Sequence, residues 1–343
     1  MNFLVTGASG FVGSAVARHL LANGHSVRAL IRQSHDPSRF AAAGLEPATG
    51  DLLDRASLER AVAGMDGVFH AAAIYKFWTR RKSDIFDTNV GGTRSLIEAA
   101  KAAGVPRFVF TSSIGVYPSR GPGTVVTETD HAIVDDLPDD YHRSKLLSEE
   151  LALSSSDTRM EIVVVNPTTS IGEEDVKPTP TGRIVLEYLR HRFPGYLDLE
   201  INFVDVRDAA AGHLAAFERG RAGERYILGG TNTTIRGAYG MLNEATGLKR
   251  HPIRVPYPIA ALAGAVDTFA EGTILRREPR IPYAGVKAAR HPLHADSSKA
   301  IEELGFAPGP VQDAFGRAAR WFASNGYVRV QGISDDPVPE ASR

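Results

Sequence analysis

The chain has 343 residues, 43% of them hydrophobic, with 39 Lys and Arg against 40 Asp and Glu. That balance leaves no net field to draw nucleic acid or anionic lipid. With no cysteine, disulfides, thiolate metal sites and cysteine nucleophiles are excluded, and the expected partner is a small-molecule substrate.

The run "NFLVTG" predicts a strand starting at Asn2, leaving no room for a signal peptide. The longest apolar stretch, "IAALAGAV" from Ile259, is too short to span a bilayer. The expectation is a soluble, cytoplasmic protein without a transmembrane segment. The first strand leads into a helix with Val12, Val16 and Leu20 on one face, stopped by Gly24. "HSVRALIR" reads as a second strand, a third ends near Asp51, and "GVFHAAA" reads as a fourth. "RFVFTSS", after a helix ending near Gly104, is the fifth and "MEIVVVNP" the sixth. This alternation predicts an α/β Rossmann fold, a doubly wound parallel sheet covered on both faces.

After Pro167 the regularity breaks into segments such as "EEDVKPTPTGR", with strand-like "ERYILGG" and several helical pieces. The predicted division is a dinucleotide-binding domain over 1–170, with strand and helix returns near 201–229. A smaller C-terminal substrate-binding lobe covers mainly 171–327, and a polar, disordered tail covers 328–343.

"TGASGFVG" sets Gly7, Gly10 and Gly13 between the first strand and first helix, with Ser9, Phe11 and Val12 in the same turn. Glycines there permit a tight turn and close approach of a pyrophosphate, and the helix N-terminus offers N–H donors and a favourable dipole. Asp51 and Leu52, where the third strand ends, are candidates to meet an adenine edge; Asp51 reads equally as a helix cap. An acid about 20 residues past such a turn accepts hydrogen bonds from the adenosine ribose, whereas an arginine pairs with a 2′-phosphate. Positions 31 to 35 hold no acid and Arg32 stands among them, with Ser34 and Arg39 nearby. The spacing therefore favours NADP(H) over NAD(H).

"DDYHRSK" puts Tyr141 and Lys145 one helical turn apart, with Asp139 or Asp140 as cap. A phenol with a pKa of about 10 needs a nearby cation to work near neutrality, and Lys145 can supply it. "RFVFTSSIGVY" brings Thr111, Ser112 and Ser113 to the carboxyl edge of the sheet, where ligands of such folds bind. Backbone capping is the other reading of the two serines.

These motifs, with "GDLLD", "FHAAA", "NVGGT", "NPTTSIG", "NFVDVRDAAAGH" and "DSSKAIEELGF", resemble the extended short-chain dehydrogenase/reductases of the NAD-dependent epimerase/dehydratase family. The likeness runs to about Tyr327 and is strongest to hopanoid-associated sugar epimerases and dihydroflavonol 4-reductase-like proteins. It implies Ser113 as the catalytic serine, Tyr141 as the acid–base group and Lys145 as the ligand of the nicotinamide ribose. It implies that Asn89 supports the active-site end of its helix. It also implies that Ala71, Ala72 and Ala73 lie under the cofactor and that Pro167 and Thr168 pack beside the nicotinamide. The helices around 84–103 and 141–155 are those through which the family usually forms homodimers.

Tyr75, Phe77 and Trp78 form the most aromatic segment; they read equally as lining an apolar or ring-shaped substrate pocket and as packing against the neighbouring lobe. Arg80, Arg81 and Lys82 read as a solvated face, with contact to a phosphate as the other reading. Asp205, Arg207 and Asp208 read as an ion-pair cluster docking the lobes. His291 and His294 lack a third ligand at a usable spacing, so no metal is expected. Two activities compete: reduction of a ketone or aldehyde with NADP(H), and epimerisation or dehydration of a sugar or sugar nucleotide with retained NAD⁺.

Overall fold

The computed structural model describes residues 1–190, 195–291 and 293–330. Its central sheet holds seven strands, here β1 (Asn2–Thr6), β2 (Ser26–Ile31), β3 (Glu46–Thr49), β4 (Gly67–His70), β5 (Arg107–Thr111), β6 (Glu161–Pro167) and β7 (Arg225–Leu228). They lie in the order β3-β2-β1-β4-β5-β6-β7, every pair parallel. Parallel strands need crossovers that cover both faces, so their sequences are nearly continuously apolar; Phe3, Leu4 and Val5 are wholly buried, as are Ile162 to Val165.

Helices α1 (Phe11–Ala22) and, later, α4 (Val206–Arg219) cover one face, burying Val16, Leu20 and Phe217 against Val5 and Phe69. Helices α2 (Gly92–Ala102) and α3 (Asp140–Ser154) lie with Arg55–Val62 on the other, where Leu58, Leu96, Phe108 and Ile162 pack. Strand order reverses between β1 and β4. The crevice at their carboxyl ends is the topological switch point where ligands of such sheets bind, and it holds Gly7 on one side and Ala71 on the other.

The smaller lobe is built on a three-stranded sheet. Glu200–Asp205 is central in it, parallel to Thr169–Ile171 and antiparallel to Thr231–Thr234. Residues 200–205, expected to return with 206–229 to the dinucleotide-binding domain, thus pair within the lobe, while 206–228 supplies α4 and β7. The strand serves both cores because its side chains alternate. Phe203 packs in the lobe cluster, edge-on to Phe315 at 5.1 Å, and Val204 packs in the sheet cluster. The lobes are further tied by Arg317, which pairs with Glu173 at 2.9 Å and with Asp205, while Arg207 also reaches Glu173 at 2.5 Å. Asp208 instead accepts from Gly309 N at 2.7 Å. Val328 and Val330 pack against the lobe cluster; the rest of the expected tail, 331–343, lies outside the described residues. On the outside of the lobe lie α5 (Tyr257–Asp267), a π-helical turn (Thr268–Ile274) and α6 (Tyr283–Ala288).

Candidate active site

The glycine turn is sterically committed. Gly7 has φ +77°, and a Cβ there would stand 2.7 Å from Ala72 N and 2.8 Å from Ala71 C. A Cβ on Gly13 would lie 2.3 Å from Gly7 O, the atom that accepts from Gly10 N at 2.8 Å. Gly10 caps α1 without a side-chain bond, which leaves the first-turn N–H groups, beginning at Phe11 and Val12, to face a ligand. Ser9 is half-buried beside them. A side-chain-free cradle against the β4 edge fits the pyrophosphate of a dinucleotide.

Arg32 follows β2 directly and is exposed; among the described residues its guanidinium makes no ion pair. Ser34 and Arg39 are exposed in the same loop, and the nearest acid, Asp36, is occupied capping Pro37–Ala42 through Ser38 N at 2.9 Å. Asp51 accepts from Leu53 N at 3.0 Å in a tight turn, and the cap position of the next helix belongs to Asp54. Leu52 is buried, its side chain packed where a Cβ on Gly92 would fall.

Beyond β4, Ala71 and Ala72 are half-buried and Ala73 is exposed. A buried relay fixes this strand end. His70 bonds Thr6 Oγ1 at 2.6 Å and Thr93 Oγ1 at 2.9 Å, and Thr93 donates to Asn89 O. Burial drives the His70 pKa down to about 3, so the ring is neutral. Asn89 sits in a π-helical turn, Asp87–Gly91, whose extra residue turns its side chain across the cleft. There Asn89 accepts from Ile74 N at 2.7 Å and donates to Ser144 Oγ at 2.9 Å, clamping the aromatic segment to α3.

Tyr141 and Lys145 are both buried on α3, which Asp139 caps by accepting from His142 N at 3.0 Å. The Tyr141 phenol is hydrogen-bonded to the Ser113 side chain, and Ser113 Oγ also accepts from Gly115 N at 3.1 Å. Ser112 is buried, and its hydroxyl lacks a partner among the described residues. Lys145 Nζ donates to Thr111 O at 2.6 Å and lies 4.3 Å from the centre of the Phe110 ring. Burial, opposed by the Glu149 carboxylate, lowers its pKa to about 7. Burial, and then Tyr75, push the Tyr141 pKa well above the ordinary phenol value; the counterweight is the Ser113 hydrogen bond. The Lys145 ammonium, expected from the helix spacing to stabilise a phenolate, is here committed to Thr111 O. Tyr141 is therefore protonated, the form that can donate.

Pro167 and Thr168 are buried at the end of β6, Thr168 N donating to Leu228 O at 3.1 Å. The aromatic segment divides between its two readings. The Tyr75 ring centre lies 4.6 Å from that of Tyr141, while Tyr75 stays 41% exposed. Phe77 and Trp78 meet the outer lobe instead: Cβ atoms on Gly285 and Gly272 would fall 3.3 and 2.8 Å from them.

Two groups of residues around the site are not assigned by the sequence to the roles they take. His142 Nδ1 bonds Asp139 Oδ2 at 2.7 Å, and its ring fills the space a Cβ on Gly115 would take. Glu149, one turn beyond Lys145 and wholly buried, pairs with Arg225 at 2.9 Å and accepts from Asn166 Nδ2 at 2.7 Å; Asn166 Nδ2 also reaches Ser113 O at 3.2 Å. An acid at helical spacing from Lys145 was readable, but its partners lie 17 and 76 residues away.

A family model described as "NAD dependent epimerase/dehydratase family" matches residues 3–229. A dihydroflavonol 4-reductase-like protein of Synechocystis sp. is 38% identical over 333 residues, with 96% of each chain covered. Sterol demethylase protein B of Methylococcus capsulatus is 33% identical, covering 96% of this chain and all of that one. The crystal structure of gox2253 superposes with a TM-score of 0.83 at 35% identity, covering 95% of this chain and 99% of the other. The chain belongs to the NAD-dependent epimerase/dehydratase family, the extended short-chain dehydrogenases/reductases, and is an NAD(P)-dependent enzyme of oxidoreductase type.

Proposed function

We propose that the protein is an NADP(H)-dependent reductase that converts an apolar ketone or aldehyde to its alcohol. The observation that carries this reading is buried Tyr141 one helical turn from buried Lys145, whose Nζ donates to Thr111 O at the carboxyl end of β5, in the same sheet whose β1 ends in the glycine cradle. Ser113 positions the substrate carbonyl by hydrogen bonding, Tyr141 gives its proton to that oxygen, and Lys145 binds the ribose and restores positive potential near the phenol. The dinucleotide, when bound, supplies the hydride. Gly7, Ser9, Gly10, Phe11, Val12 and Gly13 hold its pyrophosphate, Asp51 and Leu52 its adenine, and Ala71 to Ala73, Pro167 and Thr168 its nicotinamide half. Unpaired Arg32, with Ser34 and Arg39, receives the 2′-phosphate. Support for an apolar carbonyl comes from Tyr75 beside Tyr141 and from a relative in Stigmatella aurantiaca, 30% identical over 310 residues, named as a ketoreductase of a farnesylated quinoline oxide. We also propose a homodimer through α2 and α3 and a cytoplasmic location.

The test is a side-by-side titration with NADPH and NADH after mass analysis of any nucleotide retained through purification. Preference for exchangeable NADPH that Arg32→Ala abolishes, with turnover lost and binding kept in Tyr141→Phe, supports the reading. Turnover by Tyr141→Phe refutes the proton donor. Tightly retained NAD⁺ favours the second reading, a sugar or sugar-nucleotide epimerase. That reading draws on a basic cavity of about 350 Å³ lined by Tyr257, Tyr283, Lys287, Arg290 and His291, suited to an anionic group.

A further inference from the structure

We infer that the outer face of α5 and the π-helical turn after it forms a docking surface for an anionic phospholipid bilayer. The helix "YPIAALAGAVD" is apolar almost throughout, yet it is mounted the opposite way to a core helix. It turns Gly264 inward, where a Cβ would lie 3.1 Å from Val286, and presents its large side chains to solvent. Ile259, Leu262, Val266 and Phe269 are 61, 68, 59 and 62% exposed. Their spacings of three, four and three residues put them on one stripe of the helix. Ile274 and Leu275 extend the apolar surface at 63 and 56%.

Scattered exposed apolar residues need no explanation, but a contiguous row of large ones marks an interaction site. Charge identifies the occupant. Residues 249–291 carry eight Lys and Arg against three Asp and Glu, while the remaining 300 residues carry 31 against 37. Two of those three acids are already neutralised, Glu271 by Arg277 and Glu278 by Lys76. Arg276, Arg280 and Lys287 make no ion pair among the described residues. A near-neutral chain thus concentrates surplus cations in the segment that carries its exposed apolar stripe, and although Arg250 is committed to Tyr188 O and Leu189 O, Arg276, Arg280 and Lys287 stay exposed. That is the composition of a helix lying in the plane of a lipid headgroup layer, its apolar side chains in the acyl boundary and its cations among phosphates. The balanced total charge conceals this segregation.

The surface is continuous with the candidate active site. Trp78 and Phe77 pack under the π-helical turn and α6, three and two residues from Tyr75, whose ring contacts Tyr141. The aromatic segment that leads to Tyr141 thus packs directly against the elements that carry the docking face.

The test is cosedimentation of the full chain with phosphatidylcholine vesicles, with and without phosphatidylglycerol. We expect binding to the anionic vesicles that weakens in high salt, and a loss of about tenfold or more in Leu262→Asp/Phe269→Asp, from the apolar area withdrawn. Arg276→Glu/Arg280→Glu should lose binding to anionic vesicles while keeping the unmodified protein's melting temperature and dinucleotide affinity. No binding to anionic vesicles, or binding that both variants retain, overturns the proposal. A lipid-free dimer that Leu262→Asp/Phe269→Asp splits, in sedimentation equilibrium, also overturns it, because the face is then a self-interface.

Discussion

Replacing Glu149 by Gln should lower both the stability of the protein and the pH at which activity is lost. The Glu149 side chain is 1% exposed and its partner Arg225 is 13% exposed, with 2.9 Å between them. Removing one member of a buried pair leaves the other charge uncompensated, which costs about 3–5 kcal/mol. Arg225 retains the Tyr117 ring at 5.4 Å and a contact with His131, so the lower end, about 3 kcal/mol, is expected. At about 2 °C per kcal/mol for a large domain, the melting temperature should fall by roughly 6 °C. Glu149 also raises the Lys145 pKa against burial. Its loss therefore lowers that pKa below about 7, and the alkaline limb of kcat/KM, where the ammonium is lost, moves to lower pH. Scanning calorimetry and a pH–rate profile read the two effects separately. A lower melting temperature with an unmoved alkaline limb would refute the coupling to Lys145. An unchanged melting temperature would refute the claim that this pair neutralises a buried charge.

Lys145→Met should raise the melting temperature of the dinucleotide-free protein most below pH 7, with the gain shrinking as pH rises from about 7 towards 10. The sign follows from a folded-state pKa depressed below the unfolded value: over that window the unfolded chain binds the extra proton, so the unmodified protein gains stability as pH rises. A gain independent of pH refutes it. Gly13→Ala should weaken dinucleotide binding by at least tenfold, since its Cβ would meet Gly7 O at 2.3 Å and displace the cradle; unchanged affinity by fluorescence titration contradicts a rigid turn. Ser113→Ala should cut kcat by about 10²-fold or more, in line with loss of a positioned donor, whereas Ser112→Ala should keep kcat within a few-fold. Equal losses would mean that the two hydroxyls act together.

Most of the central sheet was legible because its signals are local. Most strands are short β-branched or aromatic runs, Glu46–Thr49 excepted, helices such as Gly92–Ala102 carry a 3.6-residue apolar period, and the glycine turn joins strand to helix at a fixed place. The strand Glu200–Asp205 was expected to return to the larger domain but pairs within the smaller lobe, because its residues alternate between two cores. Phe203 and Val204 read as one continuous apolar pair, and no local pattern says that the partner of the first is Phe315 and that of the second the helix behind the sheet.

The candidate site divides along the same line. Tyr141 and Lys145 share one helix turn, which spacing alone shows, whereas Ser113, two residues past the fifth strand, is singled out from Ser112 only by the family resemblance. Which atom each would face depended on burial. With the phenol on Ser113 and the ammonium on Thr111 O, desolvation exceeds any cationic help to Tyr141, and the tyrosine is held as an acid. The residues that hold the site in shape come from distant parts of the chain. Asn89 reaches α3 across 55 residues and Arg225 reaches Glu149 across 76. A buried charge or amide must find partners wherever the fold brings them, and that requirement becomes visible only once burial is known. The same holds in reverse for the stripe on α5. "IAALAGAV" reads in the sequence only as an apolar stretch too short to span a bilayer; apolarity and burial usually coincide, and only the mounting of the helix, Gly264 inward and Leu262 outward, separates them.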